Sequence, residues 1–228
     1  MTTLITPSLG LALIDKPVGK TSFYLVSFLR KLTSVKCIGH AGTLDPFATG
    51  VMVMLVGKPF TTKANQLISL GKEYEARLKF GVSTDSFDLD GTVTFESPII
   101  PTISEIEEVV KEFQGEILQL PPMFSAKKIN GQKLYNLARS GQTIERQPKK
   151  VFAEVKILNY AYPYLDIHVT CSSGTYIRAI ADDIGTKLKC GAHLVALKRT
   201  KVGPFNLSEC QSIEELSSKD SLILKGSW

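Results

Sequence analysis

The sequence predicts a mixed α+β fold, a largely antiparallel sheet flanked by helices. Helix and strand periodicities alternate along the 228 residues, and the neighbouring strands late in the chain are joined by turns too short to hold a crossover helix. No period of repetition and no low-complexity linker divides the chain, so a single domain over residues 1–228 is expected.

Leu11 to Ile14 reads as a short strand stopped by Pro17 and Gly19. Thr21 or Ser22 caps the next helix, whose Phe23, Val26, Leu29 and Leu32 form an apolar stripe. Gly39 to Gly50 is a loop leading into the apolar strand Val51 to Val56, and a helix is expected from about Thr61 to Leu70. Tyr74, Ala76, Leu78 and Phe80 alternate with charged residues, the period-2 signature of a half-buried strand. After an acidic loop, Thr84 to Gly91, and a further strand, Ser104 with Glu107 marks a helix start. Val151 to Tyr160 and Leu165 to Cys171 read as an antiparallel pair turned at Pro163. Ile177, Ile180, Ile184 and Leu188 then line one helical face, and a basic strand, His193 to Val202, closes the pattern.

Composition narrows the function. With 43% hydrophobic and 21% charged residues, the chain is neither a disordered tail, a collagen-like rod nor a disulfide-dense scaffold. Four separated cysteines without a C-x-x-C pair predict reduced thiols and a cytoplasmic location. The longest apolar run, Val51 to Val56, is far below the roughly 20 residues of a membrane helix, so no membrane role is expected. Net charge is +5, unevenly spread. Residues 121–150 carry seven cations against Glu145, residues 186–203 five cations and no acid, and residues 82–120 nine acids against Lys111. Two basic blocks opposed by an acidic one point to a phosphate-bearing partner.

Several motifs fail on inspection. Gly19-Lys20-Thr21 resembles the end of a P-loop, but Ile14 stands where its first glycine is required. Ser86-x-Asp88-x-Asp90-Gly91 resembles the start of an EF-hand, yet the twelfth position is Ser97, so it reads as a solvated acidic turn. His40, His168 and His193 occur singly, and no metal is implied.

The densest cluster is Gly39-His40-Ala41-Gly42-Thr43-Leu44-Asp45-Pro46-Phe47-Ala48-Thr49-Gly50. Two readings of Asp45 stand on spacing alone: it starts a turn before Pro46, or it is a reactive carboxylate, kept ionised by a nearby cation. Arg178 is a candidate for that cation, because a first-turn arginine gains nothing from the helix dipole and so calls for a specific acceptor; solvent exposure is the alternative. Tyr74 and Tyr176 are either core aromatics or flat surfaces on which a base stacks.

Taken together, these stretches resemble the TruB family of tRNA pseudouridine-55 synthases, from about Gly10 to Phe205. Asp15-Lys16-Pro17-Val18-Gly19-Lys20-Thr21-Ser22 is similar to the family's opening strand and turn, and the Gly39 to Pro46 stretch to its catalytic loop, with Asp45 as the aspartate. Lys72-Glu73-Tyr74 resembles the strand of the active-site tyrosine, and Gln119 to Arg139 the segment between the halves of the catalytic domain. Ser173-Gly174-Thr175-Tyr176-Ile177-Arg178 resembles the arginine motif, and Gly191 to Leu194 with Leu197 to Thr200 the late strand. Bacterial members usually continue into a C-terminal PUA domain, which is expected to be missing here.

The resemblance implies isomerisation of uridine to pseudouridine in the tRNA T-arm, a reaction without redox change or added atoms that needs no cofactor. It implies that Asp45 acts on the sugar, by attacking C1′ or by removing a ribose proton. Arg178 holds Asp45 ionised, and Tyr74 stacks on the uracil and takes its C5 proton. His40 fills the stack vacated by the flipped base, Tyr176 and Leu197 wall the pocket, and Lys16, Lys20 and the Lys127 to Lys150 block meet phosphates. A monomer with no obligate protein partner is expected. A tRNA-folding chaperone, or a pseudouridine synthase acting on another RNA, is the alternative.

Overall fold

The computed structural model describes residues 9–226 apart from 126–127, 130–131, 134–141 and 143. Its elements run β1 (Gly10–Lys16), α1 (Ser22–Thr33), β2 (Ile38–His40), β3 (Thr49–Val56), α2 (Lys58–Thr61), α3 (Ala64–Ile68), β4 (Lys72–Phe80), β5 (Val82–Thr84), β6 (Val93–Glu96), α4 (Ile103–Lys111), β7 (Gln114–Gln119), β8 (Lys128–Ile129), β9 (Gln132–Lys133), β10 (Lys149–Ala161), β11 (Tyr164–Cys171), α5 (Ile177–Lys187), β12 (Ala192–Val202) and β13 (Phe205–Asn206). The fold is mixed α+β with mostly antiparallel pairing, and the chain forms two compact units, residues 1–74 with 197–228, and residues 75–196.

In the first unit β3 is central. It pairs antiparallel with β1 from Gly10↔Val56 to Lys16↔Gly50; its other edge takes β2 at Met54 to Val56 and the end of β12, in parallel, at Thr49 and Gly50. The chain after β13 covers the free edge of β1, where Leu11 and Lys225 exchange backbone hydrogen bonds and Gln211 bridges Leu13 and Asp15. Leu11, Leu13, Val51, Val53, Leu55, Leu67, Val202 and Phe205 form the core beneath the sheet.

Helix α1 starts where the sequence places it, with the Thr21 hydroxyl accepting from the Tyr24 amide at 3.1 Å. Its buried face differs: Ser22, Leu25, Val26 and Leu29 face inward, whereas Phe23 is 64% exposed. Steps of three fall short of a full turn, so a stripe at positions 23, 26, 29 and 32 drifts around the helix; the observed set follows the i, i+3, i+4, i+7 pattern. The helix expected over Thr61 to Leu70 is two short ones, α2 and α3.

In the second unit the strand order is β4-β11-β10-β7. The β10–β11 hairpin carries a bulge between Ile157 and Asn159, and α4 packs on β10 and α5. The cap of α4 is Thr102 with Glu105, each side chain bonding the other's backbone amide, two residues before the expected Ser104. Tyr74, Ala76, Leu78 and Phe80 are all buried, as their alternation requires.

Candidate active site

The Asp45 loop is built on the turn between β1 and α1. The Ser22 hydroxyl, buried at the start of α1, accepts from the Leu44 amide at 3.0 Å and reaches the Leu44 carbonyl at 3.2 Å. The residue before Asp45 is therefore held at both its backbone groups. On the other side, the Pro46 carbonyl accepts from the Gly19 amide at 2.8 Å, and the Ala48 amide closes a turn onto the Asp45 carbonyl at 3.1 Å. Of the two sequence readings of Asp45, the turn is present in its backbone, and the residue is half-buried.

Two buried cations lie beneath this loop. Lys16 is fully buried, and its ammonium donates to the carbonyls of Pro17 (2.9 Å), Lys20 (2.6 Å) and Pro46 (3.1 Å). Three donors meet three acceptors, so the charge expected to face phosphate faces backbone instead. Burial brings Lys16 down to about 8, Asp45 opposes that shift, and Arg199 adds to it. Arg199, 1% exposed on β12, donates from Nε to the Val51 carbonyl at 2.8 Å and from Nη2 to the Gly42 carbonyl at 3.4 Å, tying the loop to β3. Gly50 permits this approach: a Cβ there would collide with the Arg199 backbone, and its φ of +100° already suits glycine.

Lys20 is exposed, with its ammonium 4.9 Å from the Tyr24 ring centroid. His40 ends β2, its Nδ1 buried without a hydrogen-bond partner, and burial pushes its imidazole below the ordinary value, so it is neutral at physiological pH. Tyr74 and Leu197 are each 7% exposed. The loop, Lys16, Lys20, His40, Tyr74 and Leu197 all belong to the first unit.

Tyr176 and Arg178 belong to the second unit, at the start of α5. Arg178 is not a solvated surface residue: it is 5% exposed, donating to the carbonyls of Ser86 at 2.9 Å and Phe124 at 2.8 Å. Its Nη1 also lies 3.3 Å from Oδ2 of Asp88. The acidic turn is therefore not wholly solvated, as the sequence suggests. Asp88 is 6% exposed, and its other oxygen accepts from the Ser86 hydroxyl at 2.5 Å and the Asp90 amide at 3.1 Å. A buried guanidinium supplies the reason that this one carboxylate of the turn points inward.

Among the described residues no group of three His, Cys, Asp or Glu side chains clusters to hold a metal. No helix among them is long and apolar enough to cross a membrane. The expected phosphate contacts of Lys127, Lys128, Lys133 and Arg139 rest on side chains outside the described residues. A further basic stretch escaped the sequence reading although its signal was plain. From Lys16 to Lys72, both included, there are eight lysines and arginines, and Asp45 is the only acid. Six of the cations, Lys20, Arg30, Lys31, Lys36, Lys58 and Lys63, are exposed.

Residues 30–177 match the family model of the TruB family pseudouridylate synthase N-terminal domain, and residues 178–223 match the tRNA pseudouridylate synthase B C-terminal domain. The chain is 55% identical to tRNA pseudouridine synthase B of Protochlamydia amoebophila, over 93% of this chain and 81% of that one. It is 54% identical to tRNA pseudouridine synthase B of Chlamydia pneumoniae, over 88% and 86%. Among solved structures, a chain of a Cbf5–Nop10–Gar1 complex superposes with a TM-score of 0.71 at 28% identity, covering 90% of this chain and about half, 53%, of that one.

Proposed function

Because the chain belongs to the TruB family of pseudouridylate synthases, we propose that it is a tRNA pseudouridine synthase isomerising uridine 55 of the T-loop. The observation that carries the reading is the Asp45 loop. Its carboxylate is the one acid among eight cations, on a backbone pinned from below by Ser22, Lys16 and Arg199. A rigidly presented carboxylate in a basic surface suits a reaction at a sugar carbon flanked by phosphates.

The target base is first extruded from the loop, at a cost of roughly a few kcal/mol, and the neutral His40 ring fills the vacated stack. Asp45 then acts on the ribose, either attacking C1′ or removing a ribose proton. Either way the N1–C1′ bond breaks, the uracil turns and C5 bonds to C1′, in the first case displacing the Asp45 carboxylate from C1′ and in the second with Asp45 returning the proton to the ribose. The proton on C5 passes to Tyr74 and on to solvent, while N1 gains a proton, so atoms balance without cofactor or oxidant. Tyr176 and Leu197 wall the uracil, Arg178 is the cationic member of the site, and Lys20 with the Lys127 to Lys150 block meets the T-arm phosphates. Lys16 supports the loop from within. The protein is expected to work as a monomer in the cytoplasm.

Tritium release from unmodified tRNA labelled at uridine C5 tests the reading. Release of one tritium per tRNA, mapped to position 55, is expected; tRNA binding without release would leave a folding chaperone, and release from another position would overturn the assignment to uridine 55.

A further inference from the structure

Tyr176 carries the pocket wall in the reading above, yet it sits as the N-cap of α5 with no side-chain cap of its own. What fixes it comes from elsewhere in the sequence. The Tyr176 amide donates to Oε1 of Gln119 at 2.7 Å, and Nε2 of Gln119 donates to the Tyr176 carbonyl at 3.0 Å. Gln119 is the last residue of β7 and is 2% exposed. Its carboxamide gives Tyr176 the reciprocal N–H and C=O pair that a neighbouring strand gives in an antiparallel ladder.

We propose that Gln119 is a positioning residue for the pseudouridylation site, holding Tyr176, and through it the start of α5, in the orientation the flipped uracil requires. The inference rests on the reading of Tyr176 as the wall of the uracil pocket. Three observations favour positioning over incidental packing. Both halves of the amide are used on one residue, a match that an ionised carboxylate, which only accepts, does not provide. The Gln119 side chain is buried and the pairing part-buried, so its loss leaves two polar backbone groups to find new partners where water has limited access. And the segment following Gln119 returns to the same helix start, where Arg178 donates to the Phe124 carbonyl at 2.8 Å. The beginning of α5 is thus gripped twice by one stretch of chain, once through a backbone and once through a guanidinium.

Gln119→Glu tests the idea with an internal control. An ionised carboxylate keeps the acceptor for the Tyr176 amide but faces the Tyr176 carbonyl without a donor; protonation restores a near-isosteric donor and acceptor. Burial raises the pH at which that proton is held. Relative to the parent at each pH, the single-turnover rate at saturating tRNA is expected to fall about tenfold at pH 8 and to recover to within about threefold at pH 5.5, with affinity for tRNA changed less than about twofold. Gln119→Leu is expected to be slow at both pH values and to lose hydrogen-exchange protection at the Tyr176 amide. Parental exchange protection in Gln119→Leu, or a rate deficit in Gln119→Glu that does not recover on acidification, would overturn the inference. A parental rate for Tyr176→Ala would instead overturn the wall reading, while the exchange measurement still reports on the pairing.

Discussion

Replacing Asp88 by Asn tests whether the acidic turn serves Arg178. The substitution keeps the side chain's shape, and the retained carbonyl still accepts from the Ser86 hydroxyl and the Asp90 amide. It removes the negative charge 3.3 Å from the guanidinium, between groups whose side chains are 6% and 9% exposed. Breaking a buried ion pair by removing one partner costs about 3–5 kcal/mol. Arg178 keeps its bonds to the Ser86 and Phe124 carbonyls, so the lower end applies, and about 3 kcal/mol of stability is the expected loss. If roughly half of that is felt as misplacement of Arg178 in the transition state, the isomerisation step slows about tenfold. Urea unfolding of Asp88→Asn, single-turnover pseudouridine formation, and a double-mutant cycle with Arg178→Lys measure both effects. The cycle should show coupling of about 1 kcal/mol or more between the two positions. Stability within about 0.5 kcal/mol of the parent, with additive effects in the cycle, would refute the reasoning and leave Asp88 as a turn residue.

Three further outcomes follow from the geometry. Lys16→Met leaves the Pro17, Lys20 and Pro46 carbonyls short of a donor and should cost about 3 kcal/mol of stability in urea unfolding, with the salt dependence of tRNA binding unchanged; a salt slope reduced by about 0.7–0.9 would show that Lys16 meets a phosphate after all. Arg178→Lys should be badly slowed at saturating tRNA, because Arg178 reaches the Ser86 and Phe124 carbonyls and Asp88 from two nitrogens of a planar fork, which a single ammonium does not reproduce, and near-parental turnover would remove Arg178 from the site. Burial, aided by Asp183, raises Asp182 to about 6 in the folded chain, above its unfolded value of 3.8, so the native state binds more protons between those limits and stability falls as pH rises through that window. Asp182→Asn should flatten that fall in urea melts at pH 4.5 and 7, and an unchanged pH dependence would show that Asp182 does not cause it.

The parts of the fold that were legible in the sequence are those in which one local pattern determines the outcome. Alternation from Tyr74 to Phe80 has only one reading, and all four apolar residues are buried. The Asp45 loop stood out because glycine, threonine and proline crowd around one carboxylate. What escaped depends on contacts between distant residues. Asp88 lies in a D-x-D-G turn whose local chemistry says solvent, and only Arg178, far along the chain, draws it inward. Gln119 belongs to no charge pattern, and its value comes from a backbone pair 57 residues away. Lys16 reads in the sequence as a basic residue of the opening strand and turn, but a lysine's sequence context does not reveal whether carbonyls or water surround its ammonium. The two-residue error in the α4 cap arose because Thr102 with Glu105 and Ser104 with Glu107 satisfy the same motif, and the structure uses the first.

Pseudouridine mapping on a full-length unmodified tRNA, with the parent chain and Asp45→Asn side by side, tests the central claim most directly. The amide keeps the shape of the loop and loses the charge that acts on the ribose. The expected result is pseudouridine at position 55 with the parent, and none above about one ten-thousandth of that rate with Asp45→Asn at unchanged tRNA affinity, a barrier higher by about 5.5 kcal/mol. Turnover by Asp45→Asn within about tenfold of the parent, a difference of only about 1.4 kcal/mol, would contradict the assignment of Asp45 as the group that acts on the sugar.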